Sequence, residues 1–258
     1  MATYLDDIVA AHRRRAAADG RDAHDLMARA AATAERARGF GQALRAERGL
    51  SVIAEVKRRS PSKGDLNPDL DPARVARAYV SGGAACLSVL TDADHFGGSP
   101  EDLMAARAAT SVPVLRKDFT VDERDVADAR LMGADCCLLI AAVLSDALLE
   151  RCLAVAADVG IDALVETHDE ADIERAVAAG ATLVGVNQRD LVTFEVDHER
   201  ALAVVDAIPA SCVRVAESGV RGGEDATRLA AAGYDAVLVG EHVVTHDDPR
   251  AAVAALKD

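Results

Sequence analysis

Only four of the 29 basic residues are lysines. Three of them, Lys57, Lys63 and Lys117, fall in two short stretches, Glu55-Val56-Lys57-Arg58-Arg59-Ser60-Pro61-Ser62-Lys63-Gly64 and Leu115-Arg116-Lys117-Asp118-Phe119. Arginine keeps its charge under all ordinary conditions, whereas a buried or flanked lysine can release a proton. A chain that meets its other cationic needs with arginine has a use at these points for a transferable proton. Glu55 and Lys57 are two residues apart, so on a strand they share a face. Pointing inward, they form a charged pair in a region where charge is costly unless paired or used. Glu166 closes the apolar run Ala163-Leu164-Val165. Desolvation there is expected to raise its pKa and suit it to acid–base work. Asn187 and Arg189 also share a face and suit a carboxylate or sugar hydroxyls.

Two further stretches, Glu217-Ser218-Gly219-Val220 and Gly240-Glu241-His242, place glycines just after apolar runs. Gly-bearing loops that open helices bind phosphate through backbone N–H groups, and Gly219 and Gly240 let an anion approach the chain closely. Lys57, Arg58, Arg59, Lys63, Lys117 and Arg189 are expected to gather as a cationic focus on a chain of net charge −14, which points to an anionic small-molecule ligand. His242 and His246 lack the carboxylate register of a metalloprotease motif and read as solvated. No metal site is read from the sequence.

These residues need a scaffold that brings distant segments to one rim. Eight short apolar runs recur: Val52–Glu55, Cys86–Leu90, Val112–Leu115, Cys136–Ile140, Ala163–Glu166, Leu183–Val186, Val213–Ala216 and Ala236–Val239. The gaps between them hold a loop and a helix of about three turns, the requirement of a βα unit. Gly83, Gly133, Gly160, Gly180 and Gly233 stand just before runs, where a left-handed residue ends a helix. Strands buried on both faces alternating with amphipathic helices mean a parallel sheet. Eight units in 258 residues favour a closed (β/α)₈ TIM barrel, with function at the C-terminal strand ends. No GxGxxG follows the first run, so a dinucleotide site is disfavoured. The whole chain, 1–258, is expected to be one domain. Residues 1–50 form a helical extension, with helices over Tyr4–Ala18 and Asp22–Arg38 and a short third near Gln42–Glu47, capping one end of the barrel.

A pI of about 4.9 argues against nucleic acid and anionic membranes as partners. The five cysteines have no paired spacing and read as buried, reduced thiols. The N-terminus lacks the apolar core of a signal peptide, and no run is long enough to span a bilayer, so a cytoplasmic protein is expected, acting as a monomer. The acidic, Ala- and Asp-rich, Lys-poor composition resembles that of proteins from high-salt cytoplasm.

The strand-end motifs together resemble the indole-3-glycerol phosphate synthase family. The stretch from Glu55 to Gly64 carries the resemblance most specifically. Leu115–Phe119, Glu166, Asn187-Gln188-Arg189-Asp190-Leu191, Ala216–Gly219 and Val239-Gly240-Glu241 extend it over essentially the whole chain. The resemblance implies conversion of 1-(2-carboxyphenylamino)-1-deoxyribulose 5-phosphate to indole-3-glycerol phosphate, CO₂ and water in tryptophan biosynthesis, with no cofactor and no metal. It implies Lys117 as the general acid at ring closure and Glu166 as the acid–base group of the dehydration, partnered by Lys57. Glu55 and Glu217 line the site and hold the cations. Asn187 contacts the substrate, and Phe119 and Leu191 flank its aromatic ring. Ser60, Ser218, Gly219, Gly240 and Glu241 form the phosphate site, the last three largely by backbone, since the Glu241 carboxylate repels phosphate unless it turns away. Three rival readings are a phosphoribosylanthranilate-isomerase-like barrel using a Cys or Asp pair, an aldolase forming a Schiff base at Lys117, and a barrel that binds sugar phosphates without turnover.

Overall fold

The computed structural model describes residues 4–190 and 192–257. Eight parallel strands close a barrel: β1 (Ser51–Val56), β2 (Cys86–Leu90), β3 (Val114–Lys117), β4 (Cys136–Ile140), β5 (Asp162–Thr167), β6 (Leu183–Asn187), β7 (Val213–Glu217) and β8 (Ala236–Val239). Each pairs with its sequence neighbours, and β1 pairs with β8 through Ser51↔Ala236 to Ala54↔Val239. The strands are buried along nearly their whole length, as β-branched runs covered on both faces must be. Helices enclose the barrel, and a two-residue hairpin, Arg59–Ser60 with Gly64–Asp65, rises from the end of β1.

The third strand runs over Val114–Lys117, two residues later than expected. Pro113 has no N–H to give the ladder, and pairing instead continues to Leu90↔Lys117. Lys117 therefore ends a strand and does not start a loop, which fixes its direction.

The N-terminal helices serve both ends of the barrel. Helix Phe40–Ala46 lies at the N-terminal ends of the strands: the Gly41 N–H donates to Asp162, the Ser51 hydroxyl donates to the Leu44 carbonyl, and Phe40 and Leu44 are buried. Helix Tyr4–Ala18 crosses the opposite end, where its Arg13 guanidinium donates to the Val143 carbonyl after β4. The second helix stops at Ala31, short of the expected Arg38. Its sequence continues a helical pattern, but buried charges capture the following segment. Arg130 donates to the Glu35 carbonyl, Arg107 pairs with the Glu35 carboxylate, and the Arg38 N–H donates to Asp135. Hydrogen bonds to buried charges outweigh a few residues of helix propensity.

Candidate active site

Period-2 alternation sends every second residue of a barrel strand inward. On β1 that face carries Glu55, followed by Lys57 just past the strand. The Glu55 carboxylate accepts a hydrogen bond from Lys57 Nζ at 2.5 Å. On β3 it carries Lys117, on β5 Glu166, on β6 Asn187 and on β7 Glu217. Lys117 Nζ donates to Glu166 Oε2 at 2.9 Å and stands 3.7 Å from Glu217 Oε2. Asn187 Nδ2 donates to the other Glu166 oxygen, Oε1, at 2.9 Å, and Asn187 Oδ1 accepts the Arg189 N–H. One ammonium, two carboxylates and one amide thus share the floor of a cavity.

That cavity has a volume of about 630 Å³. Glu55, Lys57, Ser60, Lys117, Phe119, Glu166, Asn187, Arg189, Glu217, Ser218, Gly219, Gly240 and Glu241 all line it, so the structure brings together every expected site residue it describes. Leu191 lies outside the described residues. Ser218 and Gly219 both adopt positive φ, 65° and 75°, in the turn that leaves β7. A serine held there is strained, a feature that concentrates at ligand-binding loops. Gly240 is needed for a reason the sequence did not show. A Cβ at that position would lie 2.3 Å from Glu55 Oε1 and 2.7 Å from Lys57 Nζ, so this glycine makes room for the ion pair beside it.

Electrostatics inside the cavity differ from expectation in three respects. Burial alone would raise the Glu166 pKa, but Lys117, His168 and the Asn187 amide outweigh it and hold the carboxyl below its usual range. Burial would likewise lower Lys117, yet the carboxylates of Glu166, Glu217 and Glu55 more than offset this and keep the ammonium protonated well above its ordinary range. The displaced proton affinity appears at Glu217. Its burial, joined by repulsion from Glu166, pushes its carboxyl up to about 8 despite Lys117. Third, the cationic focus is smaller than six residues. Arg58 turns away to pair with Asp102 at 2.8 Å and to donate to the Leu70 carbonyl, and neither it nor the exposed Arg59 lines the cavity. Lys57, Lys63, Lys117 and Arg189 do line it, joined by Arg221. Glu241 meets two of these cations, Lys63 at 3.5 Å and Arg189 at 3.9 Å, so its carboxylate neutralises part of the rim.

The model of the family described as indole-3-glycerol phosphate synthase matches residues 5–256 of this chain. The chain belongs to the indole-3-glycerol phosphate synthase family. A relative of that name from Mycolicibacterium vanbaalenii is 50% identical over 258 residues, covering 99% of this chain and 94% of the relative. Indole-3-glycerol phosphate synthase 2 from Streptomyces coelicolor is 51% identical over 226 residues, covering 88% and 87%. Among solved structures, 3-hexulose-6-phosphate synthase from Salmonella typhimurium is similar in fold, with a TM-score of 0.63 at 13% identity over 81% of this chain and 97% of that one. Thiamine phosphate pyrophosphorylase from Pyrococcus furiosus has a TM-score of 0.60 at 19% identity, covering 80% and 93%.

Other groups in this member of the indole-3-glycerol phosphate synthase family were not legible beforehand. Tyr4, Leu5 and Ile8 of the first helix form an apolar wall of the cavity, with Phe96 and Phe194 nearby. The Tyr4 ring packs edge-on against Phe194 at 5.5 Å. A local motif could not place them, because they reach the mouth only through tertiary packing. His242, read as solvated, is half-buried and also lines the mouth. Behind Lys117, His12 Nε2 lies 3.0 Å from Asp92 and 3.9 Å from Asp118, and Asp118 accepts hydrogen bonds from Thr91 and Arg116. These are the atom types of a metal site, but here they bind one another and anchor the first helix to β2 and β3. All five cysteines are free and buried.

Proposed function

We propose that the chain is a carboxy-lyase, an indole-3-glycerol phosphate synthase. It closes the pyrrole ring of 1-(2-carboxyphenylamino)-1-deoxyribulose 5-phosphate with loss of CO₂, then removes water to give indole-3-glycerol phosphate. The observation that carries this reading is the position of Lys117, an ammonium fixed by Glu166 and Glu217 at the floor of a cavity large enough for the substrate.

In ring closure, the ring carbon that bears the carboxylate attacks the ketone carbon, and negative charge develops on the ketone oxygen. Lys117 donates its proton there, and the carboxylates around it favour the charged form until the substrate arrives. Loss of CO₂ returns the bonding electrons to the ring. In the dehydration that follows, the new hydroxyl leaves as water with a proton from one group while another group takes a proton from the adjacent carbon. Glu166 is the acid–base group of this step, with Lys57 as its partner. Asn187 and Lys117 hold one Glu166 oxygen each, which fixes the carboxylate in place for its proton transfer. Phe119, with the apolar wall from the first helix, takes the anthranilate ring. The phosphate binds Ser60, Ser218 and the backbone of Gly219, Gly240 and Glu241, with Lys63, Arg189 and Arg221 close by.

The same features disfavour the Schiff-base reading. A nucleophilic lysine must be neutral, and the acidic groups around Lys117, Glu166 first among them, favour its ammonium form. The isomerase-like reading needs Cys or Asp at strands 1 and 5, where this chain has Glu55 and Glu166. The partner is thus an anionic sugar phosphate, met in the cytoplasm as one step of amino-acid biosynthesis. The test is a fluorescence assay for indole formation from the synthetic substrate. Turnover in the purified protein supports the reading. Binding without turnover leaves a sugar-phosphate-binding barrel and overturns it.

A further inference from the structure

His168, two residues beyond Glu166, does not line the cavity and has no part in the steps above. Its ring nevertheless lies against the acid–base carboxylate. Nε2 stands 3.9 Å from Glu166 Oε1, is shut off from solvent and makes no hydrogen bond. A buried polar atom left without a partner is uncommon and calls for an explanation. On the other side, Nδ1 is 3.7 Å from Asp172 Oδ2, and the same oxygen accepts the His168 backbone N–H at 3.3 Å. Asp172 is itself fixed, accepting from Arg175 at 3.2 Å.

We propose that His168 is a positioning residue for Glu166: its imidazole, set between Asp172 and the buried oxygen of the carboxylate, governs when Glu166 carries a proton. The proposal rests on the reading of Glu166 as the acid–base group. With Nδ1 turned to Asp172, the protonation of Nε2 decides the contact. A protonated Nε2 can donate to Glu166 Oε1 and holds it as carboxylate. A neutral Nε2 sets a lone pair against those of the carboxylate, a contact relieved when Glu166 gains a proton and donates it toward the ring. The separation of 3.9 Å is short enough for a small ring rotation to close it.

Other charges face the pair from every side. Lys117 and Asn187 hold Glu166 from β3 and β6, Glu217 repels it from β7, and Glu55 acts from β1 through Lys117. Asp172 faces His168 from the helix Glu170–Ala178 and is itself paired with Arg175. Lys117 and Asn187 remain in a His168 variant, so the effect of His168 is a displacement of the Glu166 titration and not its loss.

The experiment follows the Glu166 side-chain carboxyl by carbon-13 NMR across pH in the ligand-free protein, assigned with Glu166→Gln. It compares wild type with His168→Gln and Asp172→Asn and records kcat and KM against pH for each. The Glu166 midpoint is expected to rise by ~0.5 to 1 pH unit in His168→Gln and by less in Asp172→Asn. The acidic limb of kcat should move with it, and KM should stay within about twofold, since His168 does not reach the substrate. An unchanged midpoint in His168→Gln, with circular dichroism as wild type, overturns the proposal. Should that variant fail to fold, an unchanged midpoint in Asp172→Asn overturns it equally. A wild-type protein without turnover defeats the assigned reaction, yet the titration in the free protein still decides the role of His168.

Discussion

Gly185 on β6 and Glu217 on β7 fit together as space and occupant. A Cβ built on Gly185 would stand 2.1 Å from Glu217 Oε1, so the carboxyl group lies where a side chain would have been. Gly185 is also paired in register with Glu166 on β5. One glycine in the middle of a fully buried strand thus gives a catalytic-floor carboxyl its position beside Lys117.

Gly185→Ala should therefore displace Glu217 and weaken its contact with Lys117. Overpacking of this kind costs about 1–3 kcal/mol. The activity loss should shrink when Glu217→Asp is added, because the shorter acid vacates the contested volume. A double-mutant cycle on kcat/KM reads the coupling. Strictly additive losses would show that the two residues do not act through each other.

Lys117→Ala should lower kcat by at least about 10³-fold, the scale of a lost general acid. Lys117→Arg should do little better, since a guanidinium keeps the charge but does not release the proton. Far-ultraviolet circular dichroism should match wild type in both. Near-normal turnover in either variant removes Lys117 from the proton-donor role. Glu166→Gln should lower kcat by about 10²-fold or more with substrate affinity nearly kept, and unchanged steady-state kinetics would refute its role.

What could be read beforehand followed from strand periodicity. Glu55, Lys117, Glu166, Asn187 and Glu217 end apolar runs, and a closed parallel barrel converts "end of a run" into "around one mouth". Residues whose placement depends on packing between distant segments were not legible. Tyr4 and Ile8 reach the cavity only because His12 and Arg13 anchor their helix to the loops after β2 and β4. The direction of the Glu166 shift was also misjudged from sequence. Burial was foreseeable from the apolar run, but the sign depends on a lysine 49 residues away and on an amide from a third strand.

At the opposite end of the barrel, Asp135 is fully buried and accepts from the Arg38 N–H, the Val114 N–H and the Arg107 guanidinium. Asp135→Ala leaves a buried guanidinium and two N–H groups short of an acceptor, a loss of about 3–5 kcal/mol. In a chain of this size that corresponds to a fall in Tm of roughly 10 °C. Calorimetry should show this drop, while kcat of the fraction that remains folded stays near wild type because the site is at the other rim. A Tm within a degree or two of wild type would mean that the cluster is solvated and not a structural tie.

The raised carboxyl of Glu217 makes stability depend on pH with a sign opposite to that of an ordinary ion-paired acid. Its folded pKa of about 8 exceeds its ordinary value of 4.5. Between those values the folded protein holds a proton there that the unfolded chain has released. Stability gained from this group is thus complete below the ordinary value and declines as pH rises toward about 8. Glu217→Gln fixes the neutral form and abolishes this component. Its Tm should gain on that of wild type as pH is raised from about 5 to about 8. Tm curves that stay parallel for the two proteins across that range would show that Glu217 is ionised throughout, and that Lys117 faces two full negative charges in the resting site.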